Sequence, residues 1–249
     1  MTNDSTSVLG IDIGGSGMKA APVDVATGKM LTDRFRIPTP QPAEPTAMAA
    51  VVAELVAHFD WTGPVGIAFP GVVQNNVIRT AANISDEWIG VDGAELFGAA
   101  TGCDIRMVND ADAAGVAEAR FGAAREETGV SLLLTFGTGI GSALINGDDL
   151  IPNTELGHLP MGDTTGEELA SSRAKDRDDL SYESWTALVN QYLRLLEDLL
   201  WPDVFIFGGG ISGDFHEFGH LLDVRTPVRP AELRNNAGIV GAALHRAAG

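Results

Sequence analysis

Residues 8–24, VLGIDIGGSGMKAAPVD, constrain this chain more than any other stretch. Val8, Leu9, Ile11 and Ile13 form a short apolar run that reads as a buried strand. Gly14-Gly15-Ser16-Gly17 follows at once, where the backbone is free to turn tightly and to point successive N–H groups into a concavity. A second strand-like run comes next, so the unit is strand, glycine turn, strand. The stretch fits an ordinary tight hairpin, and it also fits a cradle for phosphate oxygens. Asp12 ends the first strand in a position to hold a magnesium ion or its water shell, and Lys19 carries a positive head beyond the turn. There is no G-x-x-x-x-G-K-[ST], which excludes a Walker loop. The turn leads to a strand rather than a helix, which speaks against a dinucleotide fingerprint.

Composition narrows the partners. With 249 residues, 45% of them hydrophobic, the chain can bury one large core or two. The formal charge is -18 and the lysines are Lys19, Lys29 and Lys175 alone, which argues against nucleic-acid binding. A polyanionic substrate would need a local positive site. The single cysteine, Cys103, excludes an internal disulfide framework and suits a reducing cytoplasm. The N-terminus has neither a basic region nor a long apolar run, so no signal peptide is expected, and no membrane span is expected either. These features point to a cytoplasmic protein.

Periodicity predicts helices over residues 46–59, 111–121, 166–175, 182–200 and 237–248. It predicts strands over 30–37, 65–69, 105–108, 130–136, 140–145 and 204–207, and a small hairpin around Asn75-Asn76. An irregular polar segment begins at Ala81 and includes Trp88; another spans 150–161. Glycine turns recur at strand ends at 14–17, 137–141 and 208–210, which suggests a ligand with several phosphate groups.

Asn109-Asp110 lies at the end of a predicted strand and the start of a predicted helix. Asp110 there is either a helix cap or a general base taking the proton of an attacking hydroxyl. Asn83, Asn109, Asp110, Glu155 and His158 supply the amides and carboxylates that read adjacent sugar hydroxyls. A zinc site would want more His or Cys ligands than the sequence offers. In Gly137-Thr138-Gly139-Ile140-Gly141-Ser142 a hydroxyl and free amides suit a terminal phosphate, and bare backbone at Gly208-Gly209-Gly210 suits an extended donor.

Five ordered segments carry a family resemblance: Ile11-Asp12-Ile13-Gly14-Gly15, Thr80-Ala81-Ala82-Asn83, Asn109-Asp110-Ala111-Asp112-Ala113, Thr135 to Ser142, and Glu155-Leu156-Gly157-His158. Together they resemble the ROK sugar kinases of the hexokinase–actin-like group. Ile37-Pro38-Thr39-Pro40, Trp88-Ile89-Gly90, Pro152-Asn153-Thr154 and the run from Asn236 to Ala243 extend the resemblance to the actinobacterial polyphosphate glucokinases. It implies an α/β, two-lobed, ribonuclease H-like fold with a sugar cleft between lobes 1–108 and 109–249, the closing helix being free to pack back on the first lobe. It implies phosphoryl transfer from polyphosphate or ATP, with Mg2+, to the 6-hydroxyl of glucose, by a cytoplasmic homodimer. Asp110 would be the base. Asn83, Asn109, Glu155, His158 and Glu167 would hold the sugar, with Glu168 the alternative to Glu167. Asp12, Gly14, Gly15, Ser16, Gly17, Lys19, Thr138, Gly139, Gly209 and Gly210 would hold the donor and, through Asp12, magnesium. Other hexoses such as mannose are alternative acceptors. A non-catalytic sugar sensor is the other class; regulators of that kind carry a DNA-binding helical domain, for which this charge is wrong. Residues 161–172 lack the family's zinc cysteines, so no zinc is expected. Gly213-Asp214-Phe215-His216-Glu217 stands where polyphosphate users tend to be lysine-rich, and an acidic stretch repels a polyanion unless Arg225, Arg229 and Arg234 compensate.

Overall fold

The computed structural model describes residues 6–81 and 84–248. In chain order the elements are β1 (Ser7–Ile13), β2 (Met18–Asp24), β3 (Lys29–Met30), β4 (Phe35–Ile37), α1 (Pro45–His58), β5 (Val65–Phe69), β6 (Val73–Gln74), β7 (Val77–Ile78), α2 (Gly93–Thr101), β8 (Ile105–Asn109) and α3 (Asp110–Phe121). There follow β9 (Val130–Phe136), β10 (Ile140–Asn146), β11 (Asp149–Ile151), β12 (Pro160–Met161), β13 (Thr164–Thr165), α4 (Gly166–Ala170), α5 (Ser172–Arg177), α6 (Tyr182–Leu200), β14 (Val204–Gly208), α7 (Phe215–Phe218), β15 (Val228–Pro230) and α8 (Ala237–Ala247).

The chain divides into two compact units, residues 1–117 with 235–249, and residues 118–234. The division falls inside α3, and α8 belongs to the first unit. The division lies nine residues beyond the boundary at 108 expected from the sequence.

The first unit is built on the sheet β3-β2-β1-β5-β8, with β4 also paired to β2. β1 and β2 are antiparallel and in register from Ser7↔Asp24 to Ile13↔Met18, while β1, β5 and β8 run parallel. Leu9, Ile11, Ile13, Ile67 and Phe69 pack with Met48, Val52 and Leu55 of α1 on one side, around Trp88 and Phe97. On the other side α8 lies almost directly on the strands. A Cβ added to Gly10 would stand 2.9 Å from the Ile239 carbonyl carbon, and one added to Gly66 would stand 2.5 Å from that of Ala242. Side chains on those two strand residues would hold the helix off, so glycine is what permits the contact.

The second unit repeats the pattern with different residues. Its sheet order is β11-β10-β9-β14-β15, with β9 and β10 an antiparallel hairpin and β9, β14 and β15 parallel. The long helix α6 buries Trp185, Val189, Tyr192, Leu193 and Leu196 against Leu132, Leu134, Phe136, Phe205 and Phe207. Glu118, almost fully buried, accepts the N–H groups of Ala123 (2.8 Å), Glu232 (3.1 Å) and Leu233 (2.7 Å), joining the two ends of this unit.

Three elements depart from expectation. Residues 30–37 are not one strand; the chain leaves the sheet after Met30 and re-enters at Phe35. The segment from Ala81 contains a further helix, α2, capped by the Asp92 carboxylate on the Glu95 N–H (3.0 Å) and ended by Gly102 at φ +73°. The helix expected over 166–175 is broken at Ser171, whose extended backbone starts a new cap on Ala174.

Candidate active site

In the first unit the glycine turn is closed by Gly14 N–H donating to Gly17 C=O (3.1 Å). The Thr39 hydroxyl donates to Gly14 C=O (2.5 Å) and fixes the turn from beneath. Gly15 and Ser16 are exposed at its tip. Asp12 and Lys19 face each other across the β1–β2 register, with Nζ 3.4 Å from Oδ2. Burial pushes the Asp12 carboxyl above its usual range, against the pull of Lys19. The first turn of α8 approaches the same carboxylate, because a Cβ on Gly238 would come within 2.8 Å of the Asp12 carboxyl carbon.

The cap of α3 is Asn109, not Asp110. The Asn109 side-chain oxygen accepts the N–H groups of Ala111 (2.9 Å) and Asp112 (3.0 Å), and its amide donates to Gly71 C=O (3.1 Å). Among the described residues the second amide hydrogen of Asn109 has no partner. Asp110 is half-buried in the first turn, with one oxygen on the Ala111 N–H (2.8 Å). Since Asn109 reaches one residue further and carries the cap, the Asp110 carboxylate is not needed for it. Asn83 lies outside the described residues.

In the second unit Gly137 N–H donates to Gly139 C=O (2.9 Å), making the bend between β9 and β10. Glu167 reaches over this bend and takes the Ile140 N–H on Oε2 (3.1 Å). A side chain on Gly139 would collide with that carboxylate. Its other oxygen is 3.6 Å from His158 Nε2, and His158 Nδ1 is 3.9 Å from Glu155 Oε2. The structure thus brings Glu155, His158, Glu167 and the Thr138–Gly139 bend together. Glu155 sits above its usual pKa range, chiefly through burial and with a push from Glu167, while His158 pulls it back.

Sequence reasoning left Glu167 and Glu168 as alternatives, and hydrogen bonding separates them. Glu168 closes a capping box with Thr165 and also accepts the Thr164 hydroxyl (3.0 Å), so it is spent on starting α4. The T-x-x-E spacing is its sequence signal. The Ser142 hydroxyl, grouped in the sequence with a phosphate turn, instead donates to Thr154 C=O (2.5 Å) and accepts the Leu156 N–H (3.0 Å), pinning the backbone on both sides of Glu155.

Gly209 has a plain structural reason to be glycine: φ is +85° and an added Cβ would stand 2.7 Å from Phe136 N. Gly210 is exposed, with open space around it. Arg225 and Arg229 do not present free charge. Arg225 pairs with Asp198 (3.0 Å) and Glu197 (3.6 Å) and covers the Trp201 ring, and Arg229 pairs with Glu127 (2.7 Å). A cavity of about 380 Å³ in this unit is lined by Arg194, Glu197, Asp198, Asp223, Val224 and Arg225; of the residues singled out in the sequence, Arg225 alone is among them. Among the described residues no group of three or more His, Cys, Asp or Glu gathers as a metal cage, and no helix is long and apolar enough to cross a membrane.

Residues 8–174 match the sequence profile of the ROK family. Over 237 residues the chain is 50% identical to the polyphosphate glucokinase of Mycobacterium tuberculosis (strain CDC 1551 / Oshkosh), covering 95% of this chain and 89% of that protein. Among solved structures, the inorganic polyphosphate/ATP-glucomannokinase of Arthrobacter sp. strain KM superposes with a TM-score of 0.93 at 45% identity, over 98% of this chain and 99% of that one. The ROK glucokinase of Streptomyces griseus, solved with glucose and AMPPNP, shares the fold with a TM-score of 0.82 at 23% identity, over 98% and 100% of the two chains.

Proposed function

This chain belongs to the ROK family, and from that premise we propose that it is a glucokinase, transferring a phosphoryl group from inorganic polyphosphate or ATP to the 6-hydroxyl of glucose. The observation that carries the reading is 50% identity, over nearly the whole chain, to a polyphosphate glucokinase. Mannose is a second acceptor, supported by 45% identity to a glucomannokinase.

In this reading Asp110 takes the proton from the sugar hydroxyl as it attacks the terminal phosphorus. Asn109 caps α3 through the Ala111 and Asp112 N–H groups. Glu155 and His158 hold sugar hydroxyls, with Asn83 and the remaining amide hydrogen of Asn109. Glu167 works from both sides, bonded to the Ile140 amide at the bend and near His158 at the sugar. Thr138, Gly139 and the Gly14–Gly17 turn, whose Gly15–Ser16 tip is exposed, bind the donor, with Gly209 and Gly210 beside it. Lys19 offsets the charge of Asp12.

Mg2+ fits this site as a hydrated ion. Asp12 supplies a single carboxylate, beside Lys19 and the exposed Gly15–Ser16 tip of the turn. Bound there, the ion would neutralise charge on the donor phosphates. The family resemblance also implies a homodimer working in the cytoplasm, which sedimentation and fractionation test.

The experiment is Asp110→Asn, assayed for glucose phosphorylation with polyphosphate and with ATP. Turnover falls at least 10²-fold with both donors while glucose still binds. A variant keeping more than about a tenth of the original turnover rejects Asp110 as the base.

A further inference from the structure

The Gly14–Gly17 turn is rimmed by arginines that the candidate site does not use. Arg36 lies in β4, and β4 pairs with β2 so that Arg36 stands directly opposite Lys19. Its guanidinium crosses the turn and donates to Ser16 C=O (2.6 Å). It covers Gly17 so closely that any side chain there would collide with it, which gives Gly17 a reason to be glycine apart from the turn itself. Arg34, two residues earlier, donates to Asn235 C=O (3.3 Å) and to the Asn236 side-chain oxygen (3.1 Å), where α8 begins. Its charge is near enough to pull on Asp12.

The whole chain has 16 Lys and Arg against 34 Asp and Glu. In the second unit Arg120, Arg125, Arg177, Arg194, Arg225 and Arg229 each have a carboxylate partner, while Arg173 and Arg234 have none among the described residues. In this corner Asp12 is matched by Lys19, and among the described residues neither Arg34 nor Arg36 has a carboxylate within ion-pairing distance. Two exposed positive charges are left over, both bonded only to carbonyl or amide oxygens, beside a turn of exposed amides. The start of α8, an eleven-residue helix with no side-chain cap, adds its own positive end to the same corner.

We propose that Arg34 and Arg36, with Lys19, form a track for the non-transferred part of an inorganic polyphosphate chain, running from the Gly14–Gly17 turn toward the start of α8. The inference rests on the donor reading above and adds residues to it. Each phosphate of such a chain carries charge, and guanidinium groups pair with phosphate oxygens by two parallel hydrogen bonds. The carbonyl bonds that now hold them are readily exchanged for the stronger charged ones. This track also removes the difficulty posed by the acidic segment Asp214 to Glu217: the cations are supplied by the first unit's β4 edge, not by that segment.

The test is direct binding of long-chain polyphosphate, by calorimetry, to the original protein, to Arg34→Gln, Arg36→Gln and the double variant, and to Arg120→Gln. Arg120 is an exposed arginine of the second unit paired with Asp148 at 3.8 Å, and it controls for lost net charge. The double variant raises Kd about tenfold, the loss expected for two exposed charge-assisted contacts, and makes log Kd less steep in log salt by about one to two. The glucose KM stays within twofold, and melting temperature verifies folding. A Kd within threefold of the original, or an equal rise in Arg120→Gln, overturns the track. If the original protein binds polyphosphate but does not phosphorylate glucose with it, polyphosphate is removed as a donor while the binding track stands; if it does not bind the chain at all, both polyphosphate as donor and the track fail.

Discussion

Replacing Gly66 by alanine tests how the first unit is put together. Gly66 lies in the middle of β5, and its added methyl would stand 2.5 Å from the Ala242 carbonyl carbon and 3.1 Å from Ala243 N. Carbon atoms pack best at about 3.5–4.0 Å, and both partners are backbone, so no rotamer change relieves the overlap. Helix α8 must retreat by about 1 Å. A gap of that size forfeits roughly a quarter to a half of the dispersion energy along the contact. The contact includes the buried Ile239, Val240, Ala242 and Ala243. Overpacking of a close-packed core costs about 1–3 kcal/mol, and a clash of backbone on backbone belongs at the upper end, about 3 kcal/mol. Urea denaturation of Gly66→Ala is the assay. Gly213→Ala, where an added Cβ meets nothing within 4 Å, is the control expected to stay within about 0.5 kcal/mol. The donor KM should rise alongside, since retreat of α8 takes Gly238 away from Asp12. A loss in Gly66→Ala of under about 1 kcal/mol would show that the helix is not seated as tightly as the glycines imply, and the argument would fail.

Two further predictions concern the second unit. The Glu155 carboxyl is raised above its ordinary value of 4.5, so its favourable contribution to folding is complete below that value and is lost as pH rises through the higher folded one. Glu155→Gln therefore gains stability relative to the original at pH 7, an advantage that disappears below about pH 4.5 in a melting series. On its proposed sugar role, the original protein's glucose KM climbs on acidification at a pH above that of an ordinary glutamate, and the Gln variant lacks this limb; a KM whose acid limb is the same in the Gln variant would remove Glu155 from the sugar. Tyr192 is fully buried with its hydroxyl unpaired among the described residues, its ring packed beneath Gly166. Tyr192→Phe deletes an unsatisfied polar group and should be neutral or up to about 1 kcal/mol stabilising by urea denaturation; a loss beyond about 1 kcal/mol would mean the hydroxyl has a hydrogen-bonding role.

Much of the architecture was legible because it rests on local period and local turn chemistry. The β1 and β2 pair, the β9–β10 hairpin and α6 announce themselves by apolar spacing and by the glycines between them. The Asn75-Asn76 hairpin follows from two residues that tolerate positive φ, here +52° and +65°. Helix α2 was missed because GAELFGAAT offers a weak apolar stripe and two poor helix formers; the Asp92 cap and the left-handed Gly102 that bound it were the available signals. The division inside α3 depends on which residues gather in space, which no local pattern records. At the candidate site, residue types were readable but their division of labour was not. Asn109 and Asp110 are adjacent and chemically alike, and only the geometry of the first helical turn assigns the cap to Asn109. Arg36 was invisible as a neighbour of Gly17, because strand register, not sequence distance, puts it there.

The helix over Gly10 and Gly66 has a consequence for biosynthesis. Residues 118–234 form their unit from one continuous stretch, whereas residues 1–117 lack a wall until 235–249 emerge from the ribosome. Translation at about 5–20 residues per second leaves that wall missing for on the order of ten seconds. The segment made first is thus finished last, and its uncovered strand face is where a nascent-chain chaperone would be needed.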